Sequence, residues 1–148
     1  LGLKTRQRPR YEPGNLGAPV FKLNGYKIGI SICFDYLFPE IWRMMAQQGA
    51  DIICHPSNLI SQNAYKVVPA LALMNKVYVL TANRIGKERE LEFCGKSFIS
   101  DPSGNIRDIM GRGETGLLTA RIDLSQARNK MITERNHVFD DRRSDLYS

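Results

Sequence analysis

The chain is sparing with the residues that cross-link proteins or cage metals. Its three cysteines, Cys33, Cys54 and Cys94, are an odd number without close spacing. They fit neither a disulfide framework nor a zinc knuckle, and unpaired thiols suit a reducing, cytoplasmic compartment. The two histidines, His55 and His137, join no cluster of metal-ligand spacing, so no metal and no cofactor is expected. A Gly-rich phosphate loop is missing. No apolar run nears the ~20 residues of a membrane span, and no secretory signal opens the sequence, so no membrane contact is expected. Internal repeats and low-complexity linkers are absent. Acids are missing from the first ten residues, where Lys4, Arg6, Arg8 and Arg10 concentrate positive charge in a chain of net charge +6. Such an arm can touch nucleic acid. It lacks aromatic interleaving and belongs to no known nucleic-acid module, so nucleic acid is not an expected partner.

What is present suits one compact domain with a real core: 148 residues, 43% of them hydrophobic,. Val20 to Leu23 and Tyr26 to Ile32 read as strands joined by Asn24-Gly25, a hairpin signal. A helix is expected from Pro39 to about Gln48, stopped by Gly49, with Trp42, Met44 and Met45 as core. A short strand spans Asp51 to Cys54. A second helix covers Asn63 to about Lys76, with Pro69 inside it or at a break. Val77 to Ala82, Phe93 to Ser100, Ile106 to Met110 and Leu117 to Ile122 read as strands. A last helix runs from Asp123 to about Met131. Strand-helix-strand-helix followed by consecutive strands is an α/β order with mixed pairing.

One segment carries most of the chemical information: Gly29-Ile30-Ser31-Ile32-Cys33-Phe34-Asp35-Tyr36-Leu37-Phe38-Pro39-Glu40. An alternating strand delivers a thiol to a sharp turn before a helix start, where N–H groups lower a cysteine pKa. A small buried hydrophobe explains a lone cysteine equally well. The surrounding letters resemble the nucleophile segment of the nitrilase superfamily, the carbon–nitrogen hydrolases, in its amidase-like branch. Tyr11-Glu12-Pro13-Gly14, Gly49-Ala50-Asp51-Ile52-Ile53, His55-Pro56-Ser57-Asn58, Ala82-Asn83-Arg84-Ile85-Gly86, Gly95-Lys96-Ser97-Phe98-Ile99 and Asp101-Pro102-Ser103-Gly104 follow the family's order.

The resemblance implies mixed-sheet layers that form part of a four-layer α-β-β-α sandwich. It implies a single domain over residues 1–148, apparently lacking its N-terminal half. It also implies a Glu-Lys-Cys triad that cleaves a non-peptide C–N bond of a small linear amide or carbamoyl compound through a cysteine acyl-enzyme. Cys33 maps onto the nucleophile, and the N–H of Phe34 onto a backbone oxyanion donor. Lys4 is the one lysine ahead of the Pro-Gly turn; it is either the family lysine or part of an exposed basic tail. Ser57 and Asn58 either line the substrate pocket or serve a turn. Asp35 and Glu40 read as structural, and Arg84 either meets a substrate carboxylate or, the favoured reading, pairs with an internal acid such as Asp35 or Glu40. His55 reads as a satisfied structural histidine. No position matches the glutamate base, which leaves an alternative: a non-catalytic fragment or relative acting as a binding or assembly module. Family members are commonly at least dimers, so a homo-oligomer is expected, and Phe139, Leu146 and Tyr147 suit a tail contact.

Overall fold

The structure, a computed structural model, describes residues 14–146; Lys4, the Tyr11 to Pro13 part of the turn motif and Tyr147 lie outside them. A two-residue turn joins β1 (Val20–Leu23) to β2 (Tyr26–Ile30), with Leu23 paired to Tyr26. Asn24 and Gly25 sit at φ 48° and 83°, the positive pair that matches the twist of a tight hairpin. A 3₁₀ turn over Cys33–Leu37 follows, then α1 (Pro39–Gln47), β3 (Ile52–Ser57), α2 (Ala64–Asn75) and β4 (Tyr78–Asn83). β2, β3 and β4 are mutually parallel, while β7 (Phe98–Ser100) and β8 (Ile106–Ile109) continue the sheet antiparallel in the order β1-β2-β3-β4-β7-β8. This is the mixed α/β arrangement expected from the element order.

The structure departs most from the sequence reading in three places. Pairing of the expected Phe93 to Ser100 strand begins only at Phe98, because Gly95 and Lys96 both take left-handed backbone, φ 60° and 55°. The Leu117 to Ile122 segment pairs with nothing and runs irregularly to α3 (Leu124–Arg128). A small hairpin, β5 (Lys87–Glu88) with β6 (Leu91–Glu92), was not foreseen; it turns through Arg89 at φ 53°.

The core lies between the sheet and the two crossover helices. Trp42, Met45 and Ala46 of α1, Val68, Leu71 and Ala72 of α2, and Ile53, Val79 and Phe98 of the sheet are buried together. Burial of these side chains supplies the main driving force, at about 25 cal/mol per Å² of apolar surface. Pro69 sits inside α2 and is buried; the lost N–H is tolerated where packing on both sides holds the helix. The opposite sheet face carries a smaller cluster, Ile52, Tyr78 and Ala127 with Tyr26, Cys54, Leu80 and Ile122. Ile30 and Ile32 remain 45% and 60% exposed near that face's end.

Two polar clasps tie the C-terminal segment to this frame. Asp51, 3% exposed, accepts from the Lys27 N–H at 2.9 Å and from Arg128 Nε at 3.0 Å and Nη2 at 3.1 Å. Burial opposes its ionisation, but the Arg128 and Lys27 hydrogen bonds outweigh burial and hold the carboxyl below its usual range. Lys130 Nζ donates to the carbonyls of Lys76 at 2.8 Å and Asn75 at 3.3 Å. These are C-terminal carbonyls of α2, where the dipole favours a cation. Burial nevertheless pulls the Lys130 pKa down to about 8. Phe139 lies under Arg43 and Lys130, at 5.1 and 5.5 Å from its ring centre. It therefore packs on its own chain, whereas Leu146 is 70% exposed.

Both clasps have pH signatures. Asp51→Asn is expected to lower the unfolding free energy by about 2 kcal/mol at neutral pH, the worth of hydrogen bonds to a charged group. Asp51's folded pKa is depressed, so its contribution is present above the unfolded carboxyl value, ~3.9, and fades as pH falls through the lower folded value. Denaturant melts of parent and variant should converge in acid; a constant gap down to that range would refute the clasp. Lys130 works in the opposite direction: between about 8 and its unfolded value the unfolded chain binds more protons, so stability rises with pH. Parent stability relative to Lys130→Met should climb over that interval in the same melts.

Candidate active site

Parallel pairing sends the C-terminal ends of β2, β3 and β4 to one edge of the sheet. There Ile32, Cys33, Pro56, Ser57, Asn58, Ala82, Asn83, Arg84 and Ser97 line an open cavity of about 470 Å³. Crevices at this edge of parallel strands are the usual place for ligands in α/β folds. Cys33, Ser57 and Asn58, expected near one another from the sequence, thus share one cavity wall. Phe34 lies one residue further along the turn, 61% exposed, with its ring packed edge-on against Phe38 at 5.8 Å. Lys4 lies outside the described residues.

Cys33 adopts φ 50°, a left-handed backbone that costs a non-glycine residue about 1–2 kcal/mol. Four hydrogen bonds hold it there. The Asp35 carboxylate accepts from the Ile32 N–H at 2.8 Å. The Asp35 carbonyl accepts from Trp42 Nε1 at 3.0 Å and from the Phe38 N–H at 3.0 Å. The Cys33 carbonyl accepts from His55 Nε2 at 2.9 Å. Asp35 is structural, as its place in the motif suggested, and Glu40 is exposed in the first turn of α1. Asp35 thus holds the turn, and neither carboxylate lines the cavity.

His55 is the residue whose reach the sequence did not reveal. It is fully buried on β3, with Trp42 and Tyr36 edge-on at 5.7 and 6.2 Å. Its Nδ1 lies 3.2 Å from Thr81 Oγ1 and its Nε2 3.0 Å from Ser57 Oγ. Burial lowers its pKa, though the Cys33 carbonyl and Asp35 work against that. The Ser57 hydroxyl donates to the His55 carbonyl at 3.2 Å and keeps lone-pair capacity toward the cavity.

The remaining wall is pinned by Asn83. Its Oδ1 accepts from the Leu59 N–H at 2.8 Å, and its Nδ2 donates to the Gly95 carbonyl at 2.7 Å and toward Cys94 Sγ at 3.2 Å. The loop bearing Asn58 is thereby tied to the Gly95 loop. Asn58 itself is exposed. Arg84 does not pair with Asp35 or Glu40. It meets Glu88 at 2.7 Å and lies 4.2 Å over the Phe93 ring, because β4 ends pointing into the β5–β6 hairpin rather than toward α1. No group of three or more His, Cys, Asp or Glu side chains suited to a metal occurs among the described residues. No helix there is long and apolar enough to cross a membrane.

The family model for carbon–nitrogen hydrolases matches residues 1–130. A nitrilase of Pyrococcus abyssi (strain GE5 / Orsay) is 45% identical over 99% of this chain and 56% of its own length. An N-carbamoylputrescine amidase of Solanum tuberosum is 35% identical over 93% of this chain and 51% of its own length. Among solved structures, an amidase mutant from Nesterenkonia sp. AN1 shows covalent addition of the acetamide moiety of fluoroacetamide at the active-site cysteine. It superposes with a TM-score of 0.74 at 27% identity, covering 92% of this chain and 48% of that one. The chain spans about half the length of the curated relatives it matches. A strand-end cysteine turn, a mixed sheet shared with nitrilase-superfamily structures and a family match over most of the sequence converge: this chain belongs to the carbon–nitrogen hydrolase family.

Proposed function

We propose that this chain carries the nucleophile of a thiol hydrolase that cleaves the non-peptide C–N bond of a small linear amide or carbamoyl compound. The observation that carries the reading is Cys33, held at φ 50° on a rigid turn and lining the cavity at the ends of three parallel strands. The printed activities of the relatives, nitrilase and amidase, support the same bond class.

In this reading the Cys33 sulfur bonds to the amide carbon, and the carbonyl π electrons move to oxygen. The N–H of Phe34 belongs to the first turn of a 3₁₀ segment, where N–H groups lack helical acceptors; it and the Lys4 ammonium take up that charge. Collapse expels ammonia or an amine together with a proton and leaves a thioester. Water then adds, releasing the carboxylic acid and the thiol. Ser57 and Asn58 meet the polar end of the substrate, Ser57 with its unused lone pair. No carboxylate is among the residues lining the cavity, so the base comes from outside that set.

A second reading, an assembly module without turnover, draws support from that gap and from the exposed Ile30 and Ile32. A homo-oligomer fits either reading, since such apolar surface is stabilised by a partner. Sedimentation at micromolar concentration should show more than the 16.8 kDa of one chain; a lone monomer would remove this part.

Labelling and turnover separate the two readings. Fluoroacetamide should place its acetamide group on Cys33 ahead of Cys54, whose thiol burial pushes up, and ahead of buried Cys94. Cys33→Ala should cut ammonia release from a short aliphatic amide by about 10³-fold or more while the melting curve stays in place. Turnover that survives in the variant, or label spread evenly over the thiols, would sink the hydrolase reading.

A further inference from the structure

Among the described residues, the side chain that grips the Cys33–Phe34 peptide is His55. A carbonyl oxygen can only accept, so the His55 nitrogen 2.9 Å from it, Nε2, carries the proton,. Nδ1 is then the acceptor and takes the Thr81 hydroxyl at 3.2 Å. The Ser57 hydroxyl proton goes to the His55 carbonyl, so the Ser57 oxygen 3.0 Å from Nε2 shares that N–H as a second acceptor. A neutral ring in this one tautomer satisfies every partner, and full burial between Trp42 and Tyr36 leaves it no other orientation.

The consequence lies on the other end of the peptide. A trans peptide is planar, with C=O and N–H pointing in opposite directions. Drawing the Cys33 carbonyl into the buried ring turns the Phe34 N–H away from the core. Rotation of this peptide would aim a carbonyl where the donor belongs. A hydrogen bond to the carbonyl also polarises the amide and strengthens its N–H as a donor.

We propose that His55 is a positioning residue: its Nε2–H locks the Cys33–Phe34 peptide so that the Phe34 N–H serves as the oxyanion donor for a tetrahedral adduct on Cys33. This rests on Cys33 being the nucleophile but not on turnover. His55 touches neither substrate nor the reacting sulfur in this role; it acts through one peptide plane.

The test uses propanal, which forms a hemithioacetal: the Cys33 sulfur bonds the aldehyde carbon, and the thiol proton ends on the aldehyde oxygen. Protection of Cys33 from iodoacetamide reads aldehyde affinity, and the unprotected alkylation rate reads the thiol alone, since displacement of iodide creates no oxyanion. His55→Met, which fills the space without a donor, should need about tenfold more propanal for equal protection, the upper worth of one hydrogen bond to the adduct's neutral hydroxyl. Its unprotected alkylation should keep the parent's rate. His55→Gln, which can place an amide N–H near the Nε2 position, should restore most of the protection. If His55→Met does not fold, Thr81→Val keeps the volume and removes the hydroxyl that selects the tautomer; about fivefold weaker protection is expected from the loss of one hydrogen bond. Unchanged protection in these variants, no protection in the parent, or alkylation falling in step with protection would each overturn the proposal. Absence of amide turnover beside an intact propanal series would instead refute the hydrolase reading alone.

Discussion

Parallel pairing of β2, β3 and β4 is the constraint on which everything at the cavity depends. Three strands running the same way must each be connected by a crossover, and α1 and α2 provide it on one face of the sheet. Their C-terminal ends then fall side by side, so Cys33, Ser57 and Asn83 meet although up to fifty residues separate them. Backbone hydrogen bonds extend this order beyond the strands: Ser31 donates to Cys54, Arg84 to Ser57 and Gly95 to Arg84. The cavity wall is thus a continuation of the sheet, which gives it more rigidity than loops alone would have.

The buried polar groups beneath that wall follow a common logic. Trp42, Tyr65 and His55 each find a partner there, since an unpaired polar atom in this core would cost about 1–3 kcal/mol, whereas the buried Ser31 and Ser100 hydroxyls have none among the described residues. Trp42 fills the core and also donates to the Asp35 carbonyl. Tyr65 packs on Phe98 and donates to the Gly95 carbonyl at 2.7 Å. His55 joins β3, β4 and the Cys33 turn in one network. The same side chains that hold the helices on the sheet therefore hold the strained backbone at Cys33. Packing and site geometry cannot be varied independently here.

Much of this was legible in the linear order of residues. Asn24-Gly25 announced the hairpin, Pro39 and Gly49 bracketed α1, and the alternation from Tyr26 announced β2, because turn and strand preferences are local. The Cys33 segment stood out through its family resemblance. Less legible were the features that depend on partners distant in sequence. Phe93 to Ser100 alternates like a strand, yet left-handed Gly95 and Lys96 interrupt it, and the Arg112 carbonyl lies where a Gly95 side chain would be. Leu117 to Ile122 has strand composition but finds no neighbour to pair with. Arg84 looked available to the acids of the Cys33 turn, and the course of β4 gave it Glu88 instead.

The sequence by itself determined most element types, the mixed α/β class, the family resemblance and the candidate thiol, because periodicity, turn chemistry and motif spacing are carried by near neighbours. Only the tertiary structure decided that Asp51 clasps Arg128, that Phe139 packs under Arg43 and Lys130, and that His55 reaches the Cys33 carbonyl across the sheet. Apart from Phe139 and Lys130, those contacts join residues 22 to 96 positions apart. Such pairs are specified by which strands become neighbours, a choice made by burial of the whole core and recorded in no local pattern.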